Sequence, residues 1–321
     1  MKAIVQDRYG TADVLELKDI DEPVVGDDDV LLRVLAASAF IGDWHIMTGL
    51  PYLGRLVIGL RAPKARVRGQ DVAGRVEAVG ERVTRFQPGD EVFGTCHGSF
   101  AEYATARPDK IAPKPANLTF EQAATVPSTG TTALQGLRNI RKVQPGHKVL
   151  IIGAAGGVGS FAVQIAKAFG AHVTGVCSTT KVDLVRSIGA DDVIDYTRDD
   201  FAEKGPRYDL ILDTAGNRSV SHLRRGLAPR GTLVIGGGEG GGRWFGVGRQ
   251  LQALMLSPFV SQRLGTFIAK QNGEDLLVLK ELIEAGKVTP VIGKTYPLSE
   301  VPDAIRYLEQ GHARGKVVIT V

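Results

Sequence analysis

The sequence 148–170, K-V-L-I-I-G-A-A-G-G-V-G-S-F-A-V-Q-I-A-K-A-F-G, decides the fold. It begins with an apolar run, Val149–Ile152, typical of a strand that is buried on both faces of a parallel sheet. Gly153, Gly156 and Gly159 follow, and the apolar residues after them recur at helical spacing. Because a helix N-terminus offers unpaired N–H groups and a dipole that favours anions, the stretch predicts a pyrophosphate-binding turn. The alternative is an ordinary strand–helix turn with close packing and no ligand.

The bulk composition is that of a soluble globular protein. The chain has 321 residues, 43% of them hydrophobic and 23% charged, which predicts about two domains. It has no apolar run of about 18 residues and no signal-peptide pattern at its start, so we expect no membrane partner. Its two cysteines, Cys96 and Cys177, exclude a disulfide framework and favour a cytoplasmic location.

The net charge of +4 raises the question of a nucleic-acid partner. The most basic stretch is 61–68, R-A-P-K-A-R-V-R, and it has no interleaved aromatic residues. We therefore interpret it as a solvated loop and expect no nucleic-acid partner. A basic cleft for an anionic cofactor accounts for the charge more simply.

The predicted pattern of secondary structure changes near residue 126. Before that point, short β-type runs alternate with turn signals, as in a small antiparallel barrel or sandwich, and a capped helix is predicted from Thr119. After it, strands and helices alternate, which predicts a doubly wound parallel sheet. Helices are also predicted at Leu251–Leu256, Leu264–Ala269 and Glu274–Glu284. The predicted domains are 1–125, a cofactor domain at 126–270, and a return to the first domain at 271–321.

The segment Gly236–Gly248, G-G-G-E-G-G-G-R-W-F-G-V-G, is of low complexity. It is open to two interpretations, a flexible linker or a mobile lid beside the active site. Trp244 and Phe245 favour the lid, because a plain linker would not carry apolar surface.

Taken together, the chain resembles the medium-chain dehydrogenase/reductase superfamily, in its zinc-free quinone oxidoreductase, ζ-crystallin-like and 2-alkenal reductase branch. The resemblance covers essentially the whole chain. It implies a Rossmann doubly wound parallel sheet inserted in a mainly β GroES-like barrel domain. The motifs that carry it are G-D-W-H-I-M-T-G-L (42–50), G-Q-D-V-A-G-R-V-E-A-V-G (69–80), P-G-D-E-V-F-G (88–94), A-A-G-G-V-G (154–159), I-G-A-D-D-V-I-D-Y (188–196) and G-K-V-V (315–318).

The resemblance also bears on metal binding. Zinc alcohol dehydrogenases of this superfamily hold their catalytic zinc with a Cys, a His and a second Cys, and the matching positions here are Phe40, Gln70 and Thr125. None of these is a good zinc ligand. We therefore expect no metal, and a substrate that is reduced without strong carbonyl polarisation, such as a quinone, an enone or an enal.

The expected cofactor is NADPH. An NAD site carries an acidic residue about 20 residues after the glycines, whereas this chain has V-C-S-T-T-K at 176–181. Ser178 and Lys181 stand where the 2′-phosphate would bind, and the resemblance adds Tyr196 to them. A solvated lysine at a helix start is the alternative for Lys181. The other cofactor contacts implied by the resemblance and the turn are Thr129, Thr132, Gly156, Gly157, Val158, Asn217, Gly237 and Lys316, the last beside the cofactor phosphates.

The implied reaction is hydride transfer from NADPH to the substrate. His45 is the best candidate for a proton donor, because histidine titrates near neutrality. Asp43 is expected to orient His45 or bind near the nicotinamide, and Tyr52 to line the substrate pocket. A homodimer is expected by analogy with the family. The alternative functions are a zinc-independent NADP alcohol dehydrogenase and a non-catalytic NADPH-binding protein of the crystallin or RNA-binding type.

Overall fold

The computed structural model describes residues 1–204, 207–236, 248–311 and 313–321. Internal contacts divide the chain into two compact units. The first unit comprises Met1–Thr131, Gln271–Ala285 and Pro290–Val321, and the second comprises Thr132–Lys270 and Gly286–Thr289.

Within the described residues the chain forms fifteen strands and eleven α-helices. The strands are β1 Lys2–Val5, β2 Glu16–Asp19, β3 Val30–Ala39, β4 Asp71–Val79, β5 Glu91–Thr95, β6 Tyr103–Ala106, β7 Ile111–Pro113, β8 Lys148–Ile152, β9 His172–Cys177, β10 Asp192–Asp195, β11 Tyr208–Asp213, β12 Leu227–Ile235, β13 Arg263–Thr266, β14 Ile292–Pro297 and β15 Lys316–Thr320. The helices are α1 Ile41–Thr48, α2 Arg55–Ile58, α3 Phe120–Ala124, α4 Pro127–Arg138, α5 Gly157–Ala168, α6 Val182–Ser187, α7 Phe201–Lys204, α8 Val220–Arg225, α9 Gly248–Leu256, α10 Gly273–Glu284 and α11 Val301–Glu309.

The second unit contains a six-stranded sheet in the order β10-β9-β8-β11-β12-β13. All its neighbouring strands pair in parallel. Counted from β8, the order is 3-2-1-4-5-6, which is the doubly wound arrangement of dinucleotide-binding sheets. β8 is apolar because helices cover both faces, and Val149, Leu150 and Ile151 are fully buried.

Close backbone approach explains the glycines between β8 and α5. Gly153 has a φ of +83°, in the left-handed region that favours glycine. A Cβ on Gly159 would lie 2.0 Å from the Gly153 carbonyl oxygen, so only glycine lets α5 start this near to the strand end. The turn therefore depends on both residues.

The first unit is mainly β. Its larger sheet has the order β14-β15-β3-β4-β5-β7, with β6 also paired to β3. The pairs are antiparallel except for β14 with β15, so the end of the chain completes a sheet that its beginning started. One apolar core under this sheet includes Val30, Leu32, Val72, Val92 and Ile111.

Most of the predicted elements are present, with two clear errors. The predicted capping box at the start of α3 is confirmed, because Thr119 and Gln122 exchange hydrogen bonds of 3.3 and 3.0 Å. Helix α1 lies where only strands and turns were predicted. Leu264–Ala269 was wrongly predicted as a helix, because Arg263–Thr266 is the edge strand β13 and pairs with β12. A short apolar run fits either structure.

The predicted lid or linker, Gly236–Gly248, lies outside the described residues except for its two end positions. Among the helices that the structure describes, none is both long and apolar enough to cross a membrane.

The packing at Gly159 leads to a stability prediction. Gly159→Ala should lower the free energy of unfolding by about 1–3 kcal/mol, because the nearest atoms to the new methyl group are backbone atoms that cannot move aside. Chemical denaturation followed by circular dichroism measures this change. The control is Gly54→Ala, where no atom lies within 4 Å of the new Cβ. Equal effects in both variants would contradict this account of the turn.

Candidate active site

The glycine turn lies where the strand order of the second unit reverses. β8 and β11 are neighbours there, and such sheets bind their ligand in the crevice at the carboxyl ends of these two strands. Gly156 caps α5 with an extended backbone and no side-chain hydrogen bond. The first-turn N–H groups of α5, which include those of Gly157 and Val158, are therefore open to an anion, and the turn fits a pyrophosphate.

The end of β11 is held by Asp213, which is fully buried. Its carboxylate accepts hydrogen bonds from the backbone N–H groups of Ala215 and Gly216, both at 3.2 Å, and forms an ion pair with Arg249. Thr214 donates its hydroxyl proton to the Ile152 carbonyl oxygen over 2.7 Å. These contacts fix the small residues beside the glycine turn. The predicted Asn217 follows them and is exposed.

The predicted 2′-phosphate residues follow two neighbouring strands. Cys177 and Asp195 are register partners at the ends of β9 and β10, so Ser178 and Tyr196 come next along the same edge. Lys181 ends a short 3-10 helix, Thr179–Lys181, that starts directly after Ser178. The structure thus brings the three residues to one sheet edge.

Asp195 is the carboxylate at this edge, and both of its oxygens are already hydrogen-bonded. Thr179 donates to Oδ2 over 2.5 Å, and the Thr197 backbone N–H and hydroxyl donate to Oδ1 over 3.0 and 2.8 Å. The Thr179 hydrogen bond is the main reason why the pKa of Asp195 lies below its usual range. This ionised carboxylate is hydrogen-bonded within its own loop and to Thr179.

In the first unit, a buried ion pair joins Asp71 on β4 to Lys316 on β15. The Lys316 Nζ lies 3.7 Å from the Asp71 Oδ2, and the two side chains are 2% and 0% exposed. Burial raises the pKa of Asp71 and lowers the pKa of Lys316, while the opposite charge of the partner opposes both shifts. Nζ makes no hydrogen bond among the described residues and faces the Phe40 ring, 5.5 Å from its centroid.

Asp71 also holds the start of helix α4. Its Oδ1 accepts hydrogen bonds from the Ser128 backbone N–H, at 3.0 Å, and from the Ser128 hydroxyl. A carboxylate at this position satisfies an unpaired N–H group and complements the helix dipole. The predicted cofactor residue Thr129 comes next and donates its hydroxyl proton to the Thr125 carbonyl oxygen over 2.9 Å. Thr132 lies one helical turn further along α4.

Asp43 is a second buried acid, at the N-terminus of α1. Its Oδ2 accepts a hydrogen bond from the Phe40 backbone N–H over 3.0 Å, while its Oδ1 is buried without a partner among the described residues. Burial, and next the negative charge of Asp71, raise its pKa to about 7, and the positive charges of Arg68 and Lys316 oppose the rise. Asp43 therefore holds its proton for much of the time at neutral pH.

His45 is oriented by a backbone group and not by Asp43. Its Nδ1 lies 2.9 Å from the Leu50 carbonyl oxygen, which can only accept, so Nδ1 carries a proton. The prediction that Asp43 orients it is wrong, because residues two apart on a helix do not face each other. Burial lowers the pKa of His45, which favours the neutral ring with an unprotonated Nε2 at pH 7.

Two further predicted residues have clear surroundings. The Tyr52 ring lies under the guanidinium of Arg55, with 4.7 Å between the Arg55 Cζ and the ring centroid. Lys316 is too buried to offer its ammonium to a phosphate, so the predicted phosphate contact is not supported, and its partner is Asp71. The predicted Gly237 lies outside the described residues.

The three positions that match zinc ligands are Phe40, Gln70 and Thr125. Phe40 follows β3, Gln70 precedes Asp71, and Thr125 ends α3 and donates its hydroxyl proton to the Gln122 carbonyl oxygen over 2.7 Å. Across the described ranges, no group of three or more His, Cys, Asp or Glu residues is placed to hold a metal ion. At the first of these positions, the Lys316 ammonium faces the phenyl ring of Phe40.

Comparisons with known proteins place the chain in a family. A model described as the alcohol dehydrogenase GroES-like domain matches residues 26–116, and one described as zinc-binding dehydrogenase matches residues 188–319. The 2-methylene-furan-3-one reductase of Solanum lycopersicum is 35% identical over 336 residues, covering 99% of this chain and 79% of the relative. The chain belongs to the medium-chain dehydrogenase/reductase superfamily.

Two other members of the superfamily are similar over nearly the whole chain. The chloroplastic NADPH-dependent alkenal/one oxidoreductase of Arabidopsis thaliana is 35% identical over 334 residues, covering 99% of this chain and 79% of the relative. The solved quinone oxidoreductase from Coxiella burnetii is 30% identical with a TM-score of 0.86, covering 100% of this chain and 99% of that one. The predicted fold class is thereby confirmed for this medium-chain dehydrogenase/reductase.

Sequence analysis missed Asp71, Ser128, Asp213 and Arg249. The signal for Asp71 was present, since it lies in the 69–80 motif and directly precedes the apolar residues Val72 and Ala73. Asp213 likewise follows the apolar run Leu210–Leu212. A charge within an apolar strand predicts a buried partner, although the partner itself cannot be identified from spacing.

The buried pair leads to a double-mutant prediction. Asp71→Asn and Lys316→Met should each lower the free energy of unfolding by about 3–5 kcal/mol, since each leaves one buried charge uncompensated. The double variant should lose much less than the sum, and urea denaturation measures the difference. The control is the exposed pair Glu16–Lys18, where the coupling should be undetectable. Additive losses at Asp71 and Lys316 would show that the pair is not coupled.

The raised pKa of Asp43 leads to a pH prediction. Between its ordinary value of 3.8 and about 7, the folded chain holds a proton that the unfolded chain has lost. The contribution of Asp43 to the free energy of unfolding should therefore fall as the pH rises through this range and then level off. The stability difference between the wild type and Asp43→Asn, measured from pH 5 to 8, tests this. A difference that rises with pH, or does not change, contradicts the buried acid.

Proposed function

We propose that this chain is an NADPH-dependent oxidoreductase that transfers a hydride to a quinone or to the activated C=C of an enone or enal, without zinc. The similar proteins with quinone or alkenal activities in their names support the substrate class. One observation supports reduction without zinc. The Lys316 ammonium faces Phe40, which stands at the position of a cysteine ligand in zinc relatives.

The second unit supplies a site that fits NADPH. The N–H groups of Gly157 and Val158 bind the pyrophosphate, and Ser178, Lys181 and Tyr196 bind the 2′-phosphate at the edge formed by β9 and β10. When bound, the cofactor supplies the hydride. Asp213 keeps the neighbouring strand end in place through its bonds to Ala215, Gly216 and Arg249.

The first unit supplies the side chains for proton transfer to the substrate. Reduction of an enone or a quinone needs a proton as well as a hydride. Neutral His45 holds its proton on Nδ1 against the Leu50 carbonyl oxygen and has only an acceptor at Nε2, so it does not supply the proton. Asp43 holds a proton near pH 7 and is the better reservoir. Tyr52, fixed under Arg55, lines the acceptor pocket in this proposal.

We also propose that the protein is cytoplasmic and homodimeric. Cys96 and Cys177 are both free and buried, which suits a reducing compartment. The dimer rests on analogy with the family, and sedimentation velocity tests it.

The proposed 2′-phosphate site predicts a cofactor preference. Lys181→Ala should raise the KM for NADPH about tenfold or more, because a charge-assisted hydrogen bond of about 1.5–3 kcal/mol is lost. The KM for NADH should change little, since NADH lacks the phosphate. The exposed Lys142→Ala is the control. Equal effects on the KM for both cofactors would show that Lys181 does not bind the 2′-phosphate.

A substrate screen with metal analysis tests the function itself. NADPH oxidation is followed with quinones, 2-alkenals and enones, and NADP⁺ reduction with alcohols, while zinc is measured in the same sample. We expect turnover of quinones or of activated alkenes, no loss on chelation, and far less than one zinc per chain. Cofactor binding without any turnover, activity with alcohols alone, or zinc-dependent activity would each refute the proposal.

A further inference from the structure

The segment between Asp43 and Asp71 has an unusual charge pattern. It carries five cationic residues and no carboxylate side chain. Its middle part, 53–60, is L-G-R-L-V-I-G-L and contains Leu53, Leu56, Val57 and Leu60. These four follow the i, i+3, i+4, i+7 spacing that places side chains on one face of a helix. The sequence thus places these apolar residues directly before the basic stretch 61–68.

The structure exposes these four side chains. Tyr52–Gly54 forms a 3-10 turn and α2 follows it to Ile58, and Gly59, with a φ of +126°, ends the helix before Leu60. Leu53, Leu56, Val57 and Leu60 are 49, 65, 75 and 68% exposed. We call these four residues the apolar patch. Large apolar side chains are usually buried, and exposed ones that cluster rimmed by polar residues mark an interaction site.

Residues behind the apolar patch hold it in place. The guanidinium of Arg55 lies between two tyrosine rings, 4.3 Å from the centroid of Tyr9 and 4.7 Å from that of Tyr52. The same group donates hydrogen bonds to the carbonyl oxygens of Gly49, at 3.0 Å, and Thr48, at 3.2 Å. The Tyr9 hydroxyl donates to the Gly59 carbonyl oxygen over 2.5 Å. These stacking contacts and hydrogen bonds hold the inner side of the segment, and its apolar side chains are exposed on the outer side.

Exposed cations border the apolar patch. Arg61 follows Leu60 directly, and the Lys64 backbone N–H donates to the Ile58 carbonyl oxygen over 2.9 Å, which folds Lys64 back beside α2. Both side chains are exposed, and neither makes an ion pair with any residue that the structure describes. Arg66, by contrast, pairs with Asp7 over 2.6 Å. The patch therefore has positive charge at its rim.

A second apolar cluster has no unpaired cation on its own helix, within the part of the chain that the structure describes. Helix α9 exposes Leu251, Leu254 and Met255 by 52, 49 and 73%. Its basic residue, Arg249, is paired with the buried Asp213. Charge complementarity thus distinguishes the apolar patch at 53–60 from the other exposed apolar helix face.

We infer that the apolar patch, with Arg61 and Lys64, docks on the surface of a bilayer that contains anionic lipids. This revises the expectation of no membrane partner, which rested on the lack of a long apolar run and does not bear on docking at the surface. Exposed apolar side chains enter the headgroup and acyl boundary, while neighbouring cations bind the lipid headgroups. A protein partner would need carboxylates around an apolar cleft, whereas a bilayer presents both features over its whole surface. The inference concerns binding, so it does not depend on the proposed reaction.

Vesicle sedimentation tests the inference with the full chain and no cofactor. The vesicles contain phosphatidylcholine with increasing phosphatidylglycerol. We expect the bound fraction of the wild type to rise with the anionic fraction and to fall in high salt. Leu56→Ser/Val57→Ser/Leu60→Ser should lower the partition coefficient at least about tenfold. Arg61→Gln/Lys64→Gln should lower it about fivefold per charge and remove most of the dependence on anionic lipid.

Matched variants keep the test specific. Val24→Ser/Phe259→Ser/Ile268→Ser removes three apolar side chains that are 91, 84 and 91% exposed but lie apart along the chain. Arg85→Gln/Lys142→Gln removes two exposed cations from other surfaces. Both should bind vesicles like the wild type, and circular dichroism should show that all variants fold.

Several results would overturn the inference. One is a wild type that does not bind vesicles at any anionic fraction. Another is an equal loss of binding in the patch variants and the control variants. A change from dimer to monomer in the Leu56/Val57/Leu60 variant would make the patch a subunit contact. Loss of turnover with a short, water-soluble enal in that variant would make it a wall of the substrate pocket.

Discussion

The first unit depends on the buried ion pair between Asp71 and Lys316. Two charges 3.7 Å apart, both shielded from water, offset each other's desolvation only while both remain. Through Asp71 the pair joins β4 to β15 and to Ser128 at the start of α4. It also sets the charge around Asp43, whose proton is retained partly because Asp71 is close. The same ammonium faces Phe40, one of the three positions that match zinc ligands, so the pair underlies the metal-free proposal.

The two units contribute different chemistry. The second unit presents N–H groups at a glycine turn and a sheet edge with hydroxyl and ammonium groups, which suits an anionic dinucleotide. The first unit presents a protonated carboxyl group, a neutral imidazole and a fixed tyrosine. These groups suit proton transfer to the enolate or the hydroquinone anion that hydride addition leaves. A quinone or an activated alkene can be reduced by a hydride from NADPH and a proton from these groups without a metal ion, because its acceptor atom is already electrophilic.

Sequence patterns predicted the fold class and the phosphate-binding turn, because both depend on local order: a buried strand, spaced glycines and an amphipathic helix. They also predicted the capping box at Thr119. Helix α1 was missed because its cap is unusual, with Asp43 reaching back to the backbone of Phe40. Strand β13 was taken for a helix because a four-residue edge strand has too little periodicity. The partners of Asp71 could not be predicted, since they come from positions far apart in the chain.

The central claim is direct hydride transfer from NADPH without a metal ion. The most direct measurement uses chelator-treated protein and NADPH that carries deuterium in the transferable position at C4, with a 2-alkenal as acceptor. Mass spectrometry of the saturated product should show one deuterium at its β-carbon. The rate of turnover should equal that of untreated protein with the same deuterated cofactor. A product without deuterium, or a reaction that resumes only when zinc is added back, would contradict the account.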